Sequence, residues 1–149
     1  IYTMEEDYDV MQKRISKANE KLIKKFAEHL LEKKLTTKTI EKHCSNMDFY
    51  GNDYLLNYES CTLTEGSDCV SPFLGSWFIR KCMWSSQTTM KEYITSFKKF
   101  YGWMYDTGKL SKNDYDLLLF TNKEEKETWL ETVRKYNDPD IDFEDVFPY

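Results

Sequence analysis

Apolar residues recur three and four positions apart along most of this chain, and strict alternation is rare. In the first fifth, Ile15, Leu22, Phe26 and Leu30, with Ile23 and Leu31 beside them, make one stripe. Lys13, Arg14, Lys17, Lys21, Lys24 and Lys25 fall on the other side. That division predicts an amphipathic helix over about 7–33. Thr36 or Thr37 is placed to cap a second helix by accepting a bond from an otherwise unpaired backbone N–H. Its stripe is Ile40, Cys44, Met47, Tyr50 or Gly51, and Tyr54; Gly51 marks close packing against a neighbour. Residues 58–71, "YESCTLTEGSDCVS", are small and polar and predict a surface loop.

Pro72 suits the first turn of a third helix over about 72–83, where its missing N–H leaves no bond unmade. Leu74, Trp77, Phe78 and Met83 make that helix mostly core, with Arg80 and Lys81 as its polar edge. Ser85 or Ser86 caps a fourth helix whose wide apolar face is Met90, Tyr93, Ile94, Phe97, Phe100, Tyr101 and Met104. Lys91, Lys98 and Lys99 lie off that face, and Gly108 ends the helix. Ser111 caps a short fifth segment with Tyr115, Leu118 and Leu119. Thr121 or Asn122 opens a sixth, which packs Trp129, Val133 and Tyr136. Residues 138–149 form an acidic tail carrying Phe143, Phe147 and Tyr149; its default is disorder or simple packing.

This pattern predicts an all-α fold in a single domain over 1–137, followed by the tail. The 149 residues suffice for a core without a metal or disulfide. Only 5 Gly and 3 Pro argue against the many tight turns of an all-β fold. No apolar run approaches the roughly 20 residues of a membrane helix. The acidic opening, Glu5, Glu6, Asp7 and Asp9, does not read as a secretion signal. We therefore expect a cytoplasmic protein, with no membrane partner and with its cysteines as thiols.

Charge changes the picture, because the net value of −5 hides a division. Residues 13–112 carry 17 Lys/Arg against 11 Asp/Glu, whereas residues 113–149 carry 4 against 11. The body is basic and the ends are acidic, so the field over one face matters more than the total. Solvated helix faces give the same pattern without any ligand.

Little points to catalysis. The four cysteines, Cys44, Cys61, Cys69 and Cys82, contain no C-x-x-C pair and no Cys/His set of zinc spacing. Cys44 and Cys82 fall near apolar stripes and read as small core residues, while Cys61 and Cys69 lie in the predicted loop and can pair if oxidised. The chain has no P-loop, GxGxxG or GxSxG motif. Its two histidines, His29 and His43, lie within or beside helical stripes. We expect no enzyme activity, no catalytic residue, no metal site, no cofactor and no small-molecule substrate.

Anion binding has more behind it. The second and fourth helices open on hydroxyls and lysines: Thr36, Thr37, Lys38, Thr39 and Lys42, then Ser85, Ser86, Gln87, Thr88, Thr89 and Lys91. Unpaired backbone N–H groups at a helix start, with lysines beside them, suit a phosphate. Hydroxyls and Gln also reach phosphates or base edges. Ordinary capping explains the same hydroxyls. The aromatics at 93, 97, 100 and 101 follow helical spacing, so they read as core rather than as base-stacking platforms.

Two stretches resemble a known family. "FAEHLLEKKLTTKTIEKHCSNMDFYGNDYLL" is similar to the first helical hairpin of the N-terminal core-binding domain of tyrosine recombinases, the phage-integrase type with a SAM-like fold. Leu35, Thr36, Thr39, Ile40 and Phe49 carry the likeness. "SSQTTMKEYITSFKKFYGWMYDTGKLSKNDY" resembles its last helices through Ser86, Thr89, Ile94, Phe97, Phe100, Tyr101, Gly108 and Leu110. The resemblance spans about residues 20–120 and rests on helices and caps rather than on invariant residues. It implies a SAM-like bundle of about four core helices, here with an additional C-terminal helix and the acidic tail.

It also implies duplex DNA binding, since that domain forms half of a C-shaped clamp with its second and fourth helices toward the grooves. Carried to this chain, Thr37, Lys38, Lys42, Gln87, Thr88 and Lys91 meet the DNA. The recombinase catalytic domain, with its Arg/Lys/His/Arg/His/Tyr set, is not in this sequence. The chain continues instead into "SKNDYDLLLFTNKEEKETWLETVRKYNDPD" and is expected to end naturally. The expectation is a stand-alone, non-catalytic DNA-binding domain that acts alone or on a recombinase. The alternative is a protein-interaction module that kept the bundle and lost DNA binding, its acidic tail docking a basic partner.

Overall fold

The computed structural model describes residues 3–148; Ile1, Tyr2 and Tyr149, the last residue of the expected tail, lie outside the described residues. Thr3 and Glu6 start helix α1 (Met4–Glu32) with reciprocal caps: the Glu6 N–H donates to Thr3 Oγ1 at 3.1 Å and the Thr3 N–H to Glu6 Oε2 at 2.9 Å. Glu5, Glu6 and Asp7 in its first turn complement the helix dipole. The helix stops where Lys34 turns left-handed (φ 65°), and the Leu35 N–H reaches back to Leu30 O at 3.2 Å. Ile15, Phe26 and Leu30 are buried, as their spacing predicts. Leu31, expected beside them, is 65% exposed, and the fully buried partner on that face is polar Asn19.

Helix α2 (Thr37–Asp48) is capped by Thr36, whose Oγ1 accepts the Thr39 N–H at 3.2 Å. It winds on without a break into a π-helix (Phe49–Glu59) and ends at left-handed Ser60. Met47, Tyr50, Gly51, Tyr54 and Leu55 are buried there, and Tyr50, Tyr54 and Tyr58 stack at successive four-residue steps, 5.8 and 5.9 Å apart. A Cβ on Gly51 would stand 2.9 Å from Leu63 Cγ and 3.0 Å from Asn19 Nδ2, so the close approach requires glycine. The 58–71 stretch is shorter and less superficial than its composition predicts. Tyr58 and Glu59 are still helical, Leu63 is fully buried, and Val70 already begins the next helix. These elements up to Ser67 form one compact unit.

The second unit begins at Asp68. Helix α3 is one rod of changing pitch: Val70–Pro72, then a π segment Phe73–Trp77, then Phe78–Lys81. Pro72 sits in its first turn, two residues later than expected, where no backbone donor is needed. Phe73 and Phe78 pack with Tyr93 and Phe97 of helix α4 (Gln87–Asp106); the Phe78 and Tyr93 ring centroids are 4.9 Å apart. Each such buried aromatic contributes roughly 1.5–3 kcal/mol. Ser86 caps α4 in a reciprocal box with Thr89, and left-handed Gly108 (φ 77°) stops it.

The expected fifth and sixth segments are one helix, α5 (Lys112–Tyr136), capped by Ser111. Thr121 and Asn122 do not open a new helix. The inward face runs on through Leu118, Asn122, Glu125, Trp129 and Val133; its two polar members interrupt the apolar stripe without interrupting the helix. Glu125 accepts the Ser71 hydroxyl of the α3 segment at 2.9 Å. Helices α4 and α5 run antiparallel: Tyr105 stacks on Tyr115 at 5.3 Å at one end, and Gln87 Nε2 donates to Leu130 O at 3.1 Å at the other. After Asn137 the chain stays folded on this unit, with Val146 buried and Phe143 and Phe147 set against Tyr136. The described residues are all-α, without a strand, and none of their helices is long and apolar enough to cross a membrane.

Candidate functional site

The first turn of α2 presents Thr37 and Lys38 to solvent, with Lys42 exposed one turn further on. Lys38 and Lys42 are four residues apart and share a face. Thr36 and Thr39 are committed to the cap: besides the backbone bond, Thr36 Oγ1 donates to Thr39 Oγ1 at 2.9 Å. Glu41, also exposed, lies beside the lysines and offsets part of their field. Half-buried Cys44 follows, and burial pushes its thiol up, so it stays protonated at neutral pH and is a poor nucleophile. His43 is in the core at 5% exposure.

The start of α4 presents Gln87, Thr88 and Lys91. Because Met90, Tyr93, Phe97, Phe100, Tyr101 and Met104 are buried, the opposite face is the free one, and it continues as Thr95, Lys98 and Lys99. Among the described residues no ion pair engages Lys38, Lys91, Lys98 or Lys99. Gln87 is partly spoken for, since its amide holds the Leu130 carbonyl. Thr89 is wholly used: it closes the capping box and its hydroxyl also faces Trp84 O at 3.3 Å. So Thr36, Ser86 and Thr89 serve the helix caps, while Thr37, Lys38, Thr88 and Lys91 are exposed. Thr37, Lys38 and Lys42 belong to the first compact unit, and Gln87, Thr88 and Lys91 to the second.

A third basic surface runs along α1. Two shallow depressions of about 540 and 450 Å³ lie there, one lined by Lys13, Arg14, Ser16, Lys17 and Glu20, the other continuing to Lys21 and Lys24. Their charged, open lining suits an extended anionic partner better than an enclosed apolar ligand.

The structure also overturns one core assignment of the sequence pattern. Met83, expected in the core, is 100% exposed, and Trp84 beside it is 53% exposed. The signal was present: a serine cap at 85 or 86 implies that the residues before it form a turn. No disulfide joins the four cysteines, and no group of three or more potential metal ligands occurs among the described residues. Comparison with known proteins finds no family model, no curated protein and no solved structure that matches this chain significantly.

Proposed function

We propose that this chain is a non-catalytic DNA-binding protein whose two units each contact duplex phosphates, one from the exposed lysine face of α2 and the other from that of α4. The observation that carries this reading is the free face of α4. Lys91, Lys98 and Lys99, with Thr88 ahead of them and Thr95 between, cover one side of a helix whose other side carries Met90, Tyr93, Phe97, Phe100, Tyr101 and Met104 into the core. Core packing needs none of these lysines. Backbone N–H groups at the α4 start add a favourable end for an anion. Thr37, Lys38 and Lys42 on α2, and Gln87, Thr88 and Lys91 on α4, are the proposed contacts. Duplex DNA is the proposed partner, without a cofactor.

Replacing Lys38, Lys42 and Lys91 together by Ala tests this site. Duplex affinity should fall, and the slope of log Kd against log salt should flatten by roughly two to three, about 0.9 for each phosphate no longer neutralised. Unchanged affinity in a folded variant rejects the site. One observation supports a second reading, a protein-interaction module: Leu117 and Phe120, three residues apart on α5, are 53% and 61% exposed. In that reading the chain has no salt-sensitive duplex affinity, and Leu117→Ser with Phe120→Ser abolishes capture of a protein partner.

A further inference from the structure

We infer that the turn between α3 and α4 is an apolar wedge that contacts bases at an unstacked step of the DNA; this rests on the DNA-binding reading above. The turn is Cys82-Met83-Trp84-Ser85, closed by the Ser85 N–H donating to Cys82 O at 3.0 Å. Both corners are buried, at 3% exposure each. They are also tied down. The Cys82 N–H donates to Phe78 O at 3.1 Å, and Asn137 Nδ2 donates to Ser85 O at 2.9 Å. Trp84 sets its ring edge-on to Phe78, with centroids 6.4 Å apart, while the Thr89 hydroxyl meets its carbonyl. The tip is therefore held from below by the core of its own unit.

What stands on this firm base is unusual for a turn. Tips of this kind favour Gly, Asn, Asp, Ser or Pro, which supply local bonds or backbone freedom. Here the tip is a methionine wholly in solvent and a tryptophan half in it. Neither side chain is needed outside for folding, and both carry an apolar cost in water. Arg80 and Lys81 precede the turn, and Thr88 and Lys91 follow it, all exposed. An apolar tip flanked in sequence by Arg80, Lys81 and Lys91 matches a partner with an anionic backbone and flat apolar surfaces behind it, although the Asn137 bond to Ser85 also brings acidic Asp138 near the turn. Nucleic acid has both. Methionine is among the side chains that wedge between base steps, and tryptophan stacks on bases. Two side chains suit one base step; they offer little area to an anionic bilayer surface.

The test uses the full chain, a labelled perfect duplex and the same duplex with a short bulge, which lowers the unstacking cost. Wild type should bind the bulged duplex more tightly. Met83→Ser/Trp84→Ser should lose that preference and bind the bulged duplex roughly tenfold more weakly. Lys91→Ala/Lys98→Ala/Lys99→Ala should weaken both duplexes equally and keep the preference. Met83→Ser alone leaves the core intact and should show part of the effect with unchanged thermal stability. Trp84 is the most exposed of the tryptophans, so its fluorescence should be quenched by the DNA, and Trp84→Phe should remove most of that quenching. If wild type binds DNA and the tip variants match it on both duplexes, the wedge is wrong and the DNA-binding reading stands. If wild type binds neither duplex at low salt, both fall. If the tip variants keep DNA affinity but lose binding to phosphatidylserine vesicles, the tip is a membrane contact and the inference is overturned.

Discussion

The carboxamide of Asn19 on α1 accepts the backbone N–H of Leu63 at 2.8 Å, across 44 residues of sequence. Its Nδ2 donates to Asn52 Oδ1 at 3.1 Å, and the side chain is fully buried. One amide thus ties the first helix to both the π-helical end of α2 and the loop behind it. Asn19→Leu keeps the volume but strands the Leu63 N–H in the core. We expect a loss of about 1–3 kcal/mol, read by urea denaturation. A loss below about 0.5 kcal/mol, within the range of an ordinary surface substitution, contradicts the bridging role.

Gly66 accepts the Tyr50 hydroxyl on its carbonyl at 2.6 Å, which fixes the loop against α2. A Cβ at Gly66 would stand 2.3 Å from Leu55 Cδ1 and 3.0 Å from Leu55 Cδ2. Leu55 is itself fully buried and has little room to yield. Gly66→Ala should cost about 1–3 kcal/mol through overpacking. Gly108→Ala meets no neighbour and should cost less, roughly 1 kcal/mol, from its left-handed backbone alone. Equal losses at the two sites, compared by thermal denaturation, contradict this account.

Asn122 behaves in the opposite sense. It is 7% exposed on α5, and neither its Oδ1 nor its Nδ2 has a hydrogen-bond partner among the described residues. Replacing a polar group that makes no bond by an apolar one of similar shape removes a desolvation cost. Asn122→Leu should therefore stabilise the second unit by about 1 kcal/mol. A drop in Tm shows that the amide has a structural task after all.

Glu65 links stability to pH. Its carboxylate accepts the Thr62 N–H at 3.1 Å and the Thr62 hydroxyl at 2.9 Å. The backbone bond first, then the hydroxyl, hold its carboxyl below the ordinary value of 4.5. A depressed carboxyl stabilises the fold above its unfolded value, and that stabilisation is lost as pH falls through the folded value. Glu65→Gln should lower Tm near neutral pH, and the gap to wild type should close in acid. A gap that stays constant across that range refutes the linkage.

These residues also show which parts of the fold a sequence reveals. Thr36, Ser86, Ser111 and Gly108 act within one helical turn, so their capping and stopping roles follow from local chemistry. The core faces of α1 and α4 follow from spacing. Asn19 and Asn122 escape that logic because a polar residue on an inward face looks like a break in the stripe. In α5 the break is read as a new helix start, although Glu125 and Asn122 simply occupy the inner face. Leu63 is hidden for the converse reason: one apolar residue in a polar loop says nothing about where the loop folds. Met83 counts as core by hydropathy, although the serine cap after it marks a turn, and the structure leaves it fully exposed. The exposure of Lys38, Lys42 and Lys91 is legible from the stripes. The allocation of the candidate contacts to two compact units is not, because no composition change marks Ser67–Asp68.

The central claim is that the exposed lysine faces bind duplex phosphate. Fluorescence anisotropy with labelled duplex of random sequence, titrated at low and at physiological salt, tests it most directly. The account predicts micromolar binding that weakens steeply as salt rises. No binding at low salt, or binding indifferent to salt, contradicts it.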